Sequence, residues 1–418
     1  MRTSLLSMSV LLLFGAVQGF FLALVLLGIK KGIRTANRIL AGILVVFSID
    51  LVEGFLSATY AFTKAPYLIG VNWPLAFLYG PLIYFYVKAL TGSMRYELRW
   101  KLFAHFIPTT LLYLYLIPFY LADPAFKVRS WFVENGSLMN YTALADPILF
   151  VLIVQIAGYL VLSLRLLAFH SKSVQQNFST IEAINLKWLR NLIVSFIGLL
   201  CVYIFYAVFS QFFGLYKEGE YLFHLITAIL IYVLGYRGIQ QPELFTAQDR
   251  IPALVSNAQN TGSVRHHGSL PIEGDVKEAT DHADKYRKSA LTEAQTEKIT
   301  VRLTQIMFEK KPYREMGLTL PMLAQMLEVS PHHISQVING KMNKSFFDFV
   351  NGYRVEDAKQ AITAPDADRF SILGIAMDAG FNSKSAFYTA FKKHTGMTPS
   401  RFKELAKRSD NVSLPDRQ

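Results

Sequence analysis

The sequence contains a single cysteine, Cys201, among its 418 residues, and this cysteine lies within an apolar run. One cysteine excludes a disulfide within the chain and a zinc site built from several cysteines. Charged residues are also scarce, at 17% of the chain against about 25% in a typical soluble domain. Hydrophobic residues reach 52%. This balance excludes an ordinary soluble protein over much of the chain.

The short motifs of common catalytic sites are missing as well. There is no His-Glu-x-x-His zinc motif, no Gly-x-Ser-x-Gly turn, no phosphate-binding P-loop, and no kinase or receiver pattern. Cys201 has no evident histidine partner. We therefore expect a protein that is not an enzyme and that uses no metal and no cofactor. A membrane-bound enzyme acting on a lipid or small molecule stays open as an alternative because of two carboxylates described below.

Seven apolar runs have the length of a membrane span, which needs roughly 20 residues. The first has an apolar core that is too long for a signal peptide, so we expect it to be a retained helix. Together they predict a seven-helix transmembrane domain over residues 1–240. The runs are 5–28, 39–62, 66–90, 102–121, 147–169, 190–213 and 220–238.

Lysine and arginine in the loops predict the orientation of these spans. Alternate loops carry ten such residues in one set and five in the other. The richer set belongs in the cytoplasm. The N-terminus is therefore expected outside, and an odd number of spans places the C-terminus inside. Pro74 and Pro81 predict a kink in the third span.

Two carboxylates, Asp50 and Glu53, lie one helical turn apart near the middle of the second run. A carboxylate is unfavourable there unless it is paired or hydrated, so such residues often mark a ligand or ion site. They can equally form a hydrogen-bonded pair that joins helices. We keep both interpretations and treat Asp50 and Glu53 as candidate ligand-binding residues. His105 and His224 are candidate partners for them.

Beyond the last run the composition changes. Residues 241–290 are polar and include Pro252 and Pro271, which predicts a flexible cytoplasmic linker. Helical periodicity returns at Leu291 and predicts an all-helical domain over 291–408, followed by a disordered tail over 409–418. Residues 299–408 carry 16 Lys and Arg against 10 Asp and Glu, and this basic balance favours a polyanionic partner.

Two helix-turn-helix patterns lie in this domain, at 320–340 and 372–393. Each has a small residue, Ala324 or Ala376, where two helices must approach closely, and the two alanines are 52 residues apart. This spacing indicates a duplicated unit.

Local signals set the ends of the predicted helices. Ser330 and Ser383 are predicted N-caps of the second helix of each pattern, and Gly380 suits a turn with positive φ. The run 344–362 predicts one connecting helix, about 28 Å long at 1.5 Å per residue. Such a rod suits two recognition helices that enter successive major grooves, which are about 34 Å apart.

These residues resemble the AraC/XylS-type transcription regulators. The run IAMDAGFNSKSAFYTAFKKHTGMTPSRF, residues 375–402, is similar to the family pattern of I-A, G-F, S-x-F, F-K and G-x-(S/T)-P-x-x-(F/Y). Arg354 and Ala358 match its R-x-x-x-A, whereas Lys403 stands where the family usually has arginine. The resemblance covers about 295–405. In architecture alone, the chain is also similar to a less common membrane-integrated group of this family.

The resemblance implies DNA-facing residues early on each recognition helix. Lysine can donate to guanine and glutamine can pair with adenine, whereas other lysines are placed for phosphates. The alternative is that these are simply exposed helical residues. The candidate DNA-binding residues are His332, Ser335, Gln336, Asn339, Lys341, Lys344, Ser383, Lys384, Ser385, Thr389, Lys392 and Lys393.

The combined expectation is a one-component transcription regulator in a bacterial cytoplasmic membrane, all-α in fold. Its expected partners are double-stranded DNA, the lipid bilayer, a second copy in a homodimer, and a peptide, lipid or small-molecule signal. RNA polymerase is a further candidate partner. One alternative is a membrane receptor or transporter-like protein whose C-terminal domain binds a protein. Another is that cleavage in the linker releases the DNA-binding domain.

Overall fold

The computed structural model describes residues 2–30, 32–93, 99–132, 145–181, 186–213, 218–240 and 291–412. The described residues form helices and their connections, apart from one isolated bridge between Phe178 and Thr319, in agreement with the predicted all-α class. The chain divides into two compact units. The first takes Met1–His170 and Leu186–Ala247, and the second takes Ser171–Asn185 and Gln248–Gln418. The predicted linker at 241–290 lies outside the described residues.

In the part of the first unit that the structure describes, helices follow one another along the chain. Turns of 3-10 helix precede the third helix. The helices are α1 Arg2–Gly28, α2 Arg34–Ala58, α3 Tyr79–Leu90, α4 Arg99–Ala104, α5 Ile107–Tyr115, α6 Ile117–Tyr120, α7 Pro124–Phe132, α8 Ala145–Asn177, α9 Lys187–Phe213 and α10 Glu218–Gln240.

Among the described residues, four helical segments are long and apolar enough to cross a bilayer, where the sequence predicts seven spans. One difference has a clear cause. The predicted span at 102–121 is divided among α4, α5 and α6, and Pro108 and Pro118 stand in the first turns of α5 and α6. Proline cannot donate the backbone hydrogen bond of a helix interior, so it favours a new helix start. The four segments are Ser9–Gly28, Arg34–Ala58, Pro66–Leu90 and Pro147–Asn177.

Helix α1 packs against α2 and α10 through small residues. Gly15, Gly19 and Ala23 recur every fourth position along α1. A Cβ added at Gly19 would lie 2.1 Å from the Oγ of Ser48, and one at Gly15 would lie 3.0 Å from the Cβ of Ala228. Small residues at this spacing let apolar helices approach closely. The close packing encloses α2, the helix that carries Asp50 and Glu53.

The second unit contains both predicted helix-turn-helix patterns, as α12–α13 and α15–α16 below. The last helix continues through residues 409–412, which the sequence assigns to a disordered tail, and 413–418 lie outside the described residues. The helices are α11 Glu293–Glu309, α12 Leu320–Leu327, α13 Pro331–Gln336, α14 Phe346–Thr363, α15 Ile372–Asp378, α16 Lys384–Thr395 and α17 Pro399–Val412.

The second unit has two hydrophobic cores joined by α14. Ala324 lies in the first core and Ala376 in the second, at 1% and 0% exposure, as the duplicated pattern predicts. The N-terminal half of α14 packs into the first core and the C-terminal half into the second. Its 18 residues span about 27 Å. The residues that α14 contributes are Phe346, Phe349 and Val350 to the first core and Val355, Ala358 and Ile362 to the second.

An ion pair ties the segment after α11 to α14. The Nε and Nη2 of Arg314 donate to the two carboxylate oxygens of Asp357 at 2.7 and 3.1 Å, and the Nζ of Lys311 lies 3.4 Å from Oδ1. Burial by itself would raise the pKa of Asp357. The neighbouring guanidinium and ammonium groups outweigh burial and lower this pKa below its ordinary value.

This pair should make the second unit sensitive to acid. Because the pKa of Asp357 is lower in the folded chain, its contribution is complete above the unfolded pKa and is lost as the pH falls through the folded pKa. Asp357→Asn should lower the opening free energy of α14 at neutral pH and weaken its decline as the pH falls below about 4. Hydrogen exchange on the full-length protein measures both quantities. Asp366→Asn, at an exposed carboxylate, is the control, and equal pH dependence in wild type and Asp357→Asn would refute the prediction.

Candidate DNA-binding interface and a buried polar cluster

The first candidate recognition helix is α13, continued by the turn Val337–Lys341. Ser330 caps it as predicted, since its Oγ accepts a hydrogen bond from the backbone N of His333 at 3.2 Å, and Pro331 holds the first helical position. The turn before it passes through Glu328, which has a left-handed φ of 55°. Cap and turn together define where α13 starts.

One face of α13 packs into the first core of the second unit, and the opposite face is turned to the surface. Ile334 is fully buried, whereas His332 is exposed and Ser335 and Gln336 are half-buried. The Nδ2 of Asn339 donates to the Oγ of Ser335 at 2.9 Å, so these two side chains hold each other in place. The Oε1 of Gln336 is enclosed without a hydrogen-bond partner among the described residues. A donor that reached this oxygen would therefore gain a full hydrogen bond.

The second candidate recognition helix is α16. Ser383 caps it as predicted, with its Oγ accepting from the backbone N of Ala386 at 3.2 Å. The hydroxyl of Ser383 is thus engaged in the cap. Lys384, Ser385 and Thr389 are exposed along the helix that follows.

Aromatic and hydroxyl contacts order the outer face of α16. The Nζ of Lys384 lies 5.4 Å from the ring centroid of Tyr388, a cation–π contact. The hydroxyl of Tyr388 lies 3.1 Å from the Oγ of Ser400, at the start of α17. Beside Tyr388 an open groove runs along the helix. It is lined by Tyr388, Thr389, Lys392, Lys393 and Thr398.

The sequence predicts that Lys341, Lys344, Lys392 and Lys393 bind phosphates, and two of these lysines are engaged in ion pairs. Lys341 contacts the carboxylate of Glu297, and the Nζ of Lys393 lies 2.5 Å from the Oδ1 of Asp348. A phosphate would have to compete with these carboxylates or share the ammonium group with them.

Two further candidate lysines are available to bind phosphates. Lys344 and Lys392 are exposed, and the ion pairs of the described part of the chain involve other lysines. Lys344 lies between the first helix-turn-helix and α14, and Lys392 lies on α16 of the second helix-turn-helix. Each half of the module therefore has one lysine whose ammonium group can bind a phosphate without first leaving an ion pair.

The carboxylates predicted in the first unit are buried. Asp50 and Glu53 are 9% and 8% exposed. The Oδ1 of Asp50 accepts from the Nδ2 of Asn72 at 3.5 Å, and its Oδ2 lies 3.4 Å from the Nδ1 of His224. The hydroxyl of Tyr79 also hydrogen-bonds to Asp50. The polar cluster thus joins α2, α3 and α10.

Of the two histidines considered as partners, only His224 lies at Asp50. Its ring packs against the backbone of Gly54, where a Cβ would come within 2.8 Å of it. His105 instead makes a short hydrogen bond with the hydroxyl of Tyr159 and meets the ring of Phe85 edge-on. Glycine at 54 is the local sequence feature that admits the imidazole.

Comparison with known proteins supports the identity of the second unit. Residues 323–405 match the family described as a helix-turn-helix domain. The melibiose operon regulatory protein of Escherichia coli is 27% identical over 92 residues, which are 22% of this chain and 30% of that protein. The probable transcription factor PqrA of Proteus vulgaris is 28% identical over 108 residues, 26% of this chain and 81% of that protein. The C-terminal part of the chain therefore contains a helix-turn-helix domain that is similar to those of known transcription regulators.

Two other similarities cover comparable lengths. The bifunctional transcriptional activator/DNA repair enzyme AdaA of Bacillus subtilis is 30% identical over 96 residues, 23% of this chain and 44% of that protein. The solved structure of a protein of unknown function from Listeria innocua is 29% identical, with a TM-score of 0.22, and covers 26% of this chain and 95% of that one. The chain spans less than half the length of the melibiose regulator and of AdaA.

Proposed function

We propose that this protein is a membrane-integrated, one-component transcription regulator that catalyses no reaction itself. Its second unit binds specific double-stranded DNA in the cytoplasm. Its first unit lies in a bacterial cytoplasmic membrane as a seven-helix sensor, with the N-terminus outside, and receives a peptide, lipid or small-molecule signal. The observation that carries the proposal is the presence, in one chain, of a helix-turn-helix domain and a series of long apolar helices.

The outer surface of the first unit supports the membrane part of this proposal. Large apolar side chains point outward from several of its helices, which is unfavourable in water over so wide an area. Lipid chains would remove that penalty. Examples are Phe14, Leu24, Phe150 and Phe205, each 68% to 69% exposed.

The second unit offers matched chemistry for reading DNA. Lys384 can donate to the O6 and N7 of guanine from the start of α16. The side-chain amide of Gln336 can pair with the N6 and N7 of adenine once it turns outward from its enclosed position. Lys344 and Lys392 can hold phosphates and so fix the register. Phosphates would displace the carboxylates from Lys341 and Lys393.

A homodimer follows from the small size of one module. One pair of recognition helices reads few base pairs, and two modules supply the affinity that a promoter requires. A signal in the first unit would then alter how the two modules are spaced on DNA. The buried cluster at Asp50 and His224 is the proposed place where such a signal is received. RNA polymerase would be the next partner at the promoter.

DNA occupancy by the full-length, membrane-retained protein tests the proposal. The double variant Lys384→Ala with Gln336→Ala should lose its discrete sites in immunoprecipitation of cross-linked DNA. Each base contact contributes about 1–3 kcal/mol, so the pair should lower affinity by roughly 30-fold or more. The matched control is Lys298→Ala with Gln305→Ala, a lysine and a glutamine exposed on α11.

The result separates the proposal from its alternatives. Absence of sites for the wild-type protein would favour a membrane receptor or transporter-like protein whose C-terminal domain binds a protein. A full-length chain at the occupied sites, with no shorter fragment, would exclude release by cleavage in the linker. Retained sites in the double variant would mean that other residues read the bases.

A further inference from the structure

The segment from Ser171 to Ile181, here called the arm, belongs to the second unit although it continues a helix of the first. Helix α8 runs unbroken from Ala145 to Asn177, and the division between the units falls at Ser171. The arm comprises the last turns of α8 and the four residues after them. Its contacts are therefore contacts within the second unit.

Backbone and hydroxyl groups join the arm to the turn and bridge residues 316–319, which lead into α12. The backbone N and the Oγ of Ser179 both donate to the carbonyl of Leu318, at 3.2 and 2.7 Å. The Oγ1 of Thr180 donates to the carbonyl of Met316 at 2.6 Å. Phe178 forms an antiparallel bridge with Thr319, the N-cap of α12. One backbone hydrogen bond, two hydroxyl hydrogen bonds and one isolated bridge therefore join the arm to this segment.

A buried guanidinium holds the arm from the side of α14. Arg354 is 1% exposed, and it donates to the carbonyl of Ser179 at 3.2 Å and to its Oγ at 3.1 Å. Asn351 donates to the same carbonyl at 3.4 Å. Ser179 is itself 1% exposed. A charged group buried in this way requires its acceptors, so the arm is part of what allows Arg354 to be buried.

Apolar contacts add to these bonds. Val174 and Ile181 are 5% and 6% exposed and form a small cluster with Phe178 and with Phe347 at the start of α14. The arm thus presents a mixed surface, apolar at its two ends and hydrogen-bonding in the middle. Such a composition is typical of a specific interface rather than of incidental contact.

The contacted residues are separate from the candidate DNA-binding residues. The arm bonds to Met316, Leu318, Asn351 and Arg354, and none of these belongs to the candidate set. A docked arm is therefore compatible with bound DNA. Its effect would be to position the module rather than to block it.

We propose that the face formed by Leu318, Phe347, Asn351 and Arg354 is a docking surface whose occupant is the arm. Through it the end of α8 holds the DNA-binding module directly, independently of the linker at 241–290. Its use in signalling rests on the proposed function, because it would carry a movement of α8 to the module. The docking itself does not depend on DNA binding.

The test cleaves the linker and measures whether the DNA-binding module stays with the membranes. A protease site is placed within 241–290 of the full-length protein, membranes are treated with the protease, and a high-salt wash removes fragments held by charge alone. The C-terminal fragment should sediment with the membranes. Ser179→Ala removes two buried hydrogen bonds and should speed its release roughly tenfold. Ser173→Ala, on the same arm, should leave release unchanged.

A disulfide provides a second readout that does not depend on weak retention. In a Cys201→Ala background, Phe178→Cys is combined with Thr319→Cys. Opposed residues of an antiparallel bridge have Cα atoms about 4.5–5.5 Å apart, within the range that a disulfide spans. Oxidation should join the two fragments after cleavage, whereas Phe178→Cys with Ser385→Cys should leave them separate.

The outcomes are decisive in both directions. Retention that Ser179→Ala weakens, together with the disulfide at 178–319, supports the docking surface. Prompt release of the wild-type fragment and no disulfide would overturn it. Neither readout contains DNA, so a failure of the DNA-binding proposal would leave both unchanged.

Discussion

Replacing Gly380 with alanine should strongly destabilise the second helix-turn-helix. Gly380 has a φ of +95°, a region that L side chains rarely adopt. A Cβ there would also lie 2.4 Å from the carbonyl oxygen of Tyr313 and 2.8 Å from the Cα of Arg314. These are backbone atoms, which cannot rotate away as a side chain can. Strain and overlap together should lower the free energy of unfolding by about 3 kcal/mol or more.

Gly396 is the matched control for this substitution. It has a φ of +78°, but a Cβ there would meet nothing within 4 Å. Gly396→Ala should therefore suffer the backbone strain alone, about 1 kcal/mol. Hydrogen exchange on the amides of α15 and α16 in the full-length protein measures both variants. Equal effects of the two substitutions would mean that the backbone at 313–314 moves aside easily for a methyl group at position 380.

The contact at Gly380 bears on how the two recognition helices are spaced. It brings the turn of the second helix-turn-helix against the segment just before the first. Arg354 adds to this junction, since its guanidinium lies 5.7 Å from the ring centroid of Phe381. Helix α14 sets the distance between the two halves. The junction at Gly380 and Phe381 limits their rotation about that helix.

The sequence predicted the parts of the module that depend on local spacing. N-caps at Ser330 and Ser383, the small residues Ala324 and Ala376, and the positive φ at Gly380 all follow from residues a few positions apart. A helix period or a cap is set by near neighbours, so a sequence pattern carries it.

Sequence patterns of this kind do not predict contacts between distant residues. Ser179 and Leu318 are 139 positions apart, and no periodicity relates them. Asn72, in the connection between α2 and α3, reaches Asp50 on α2 over 22 positions. The division of 102–121 is a different case, because Pro108 and Pro118 are visible in the sequence. Hydropathy summed over a window hides the break that each proline favours.

Removing the guanidinium of Arg354 should have the largest effect among side chains of the second unit. Its Nε donates to the carbonyl of Tyr313 at 2.7 Å and its Nη2 to the carbonyl of Glu315 at 2.8 Å, in addition to the bonds to Ser179. Methionine fills the space of the aliphatic part of arginine but donates nothing. Each buried acceptor left without a donor costs about 1–3 kcal/mol, so Arg354→Met should lose about 3–5 kcal/mol. Arg354→Lys should lose less stability than Arg354→Met but remain less stable than the wild type, because an ammonium group cannot reproduce the planar fork of the guanidinium.

Hydrogen exchange on α12 and α14 of the full-length protein measures this loss, with Arg369→Met at an exposed arginine as the control.

Combining Arg354→Met with Ser179→Ala separates two contributions of the guanidinium. The bonds to Tyr313 and Glu315 lie within the module, whereas the bonds to Ser179 reach the arm. If Arg354 holds the arm, the double variant should be less destabilised than the sum of the single variants, because both remove the same bonds. Strict additivity would mean that Arg354 stabilises the module alone and that the arm is held by its own hydrogen bonds to Met316 and Leu318.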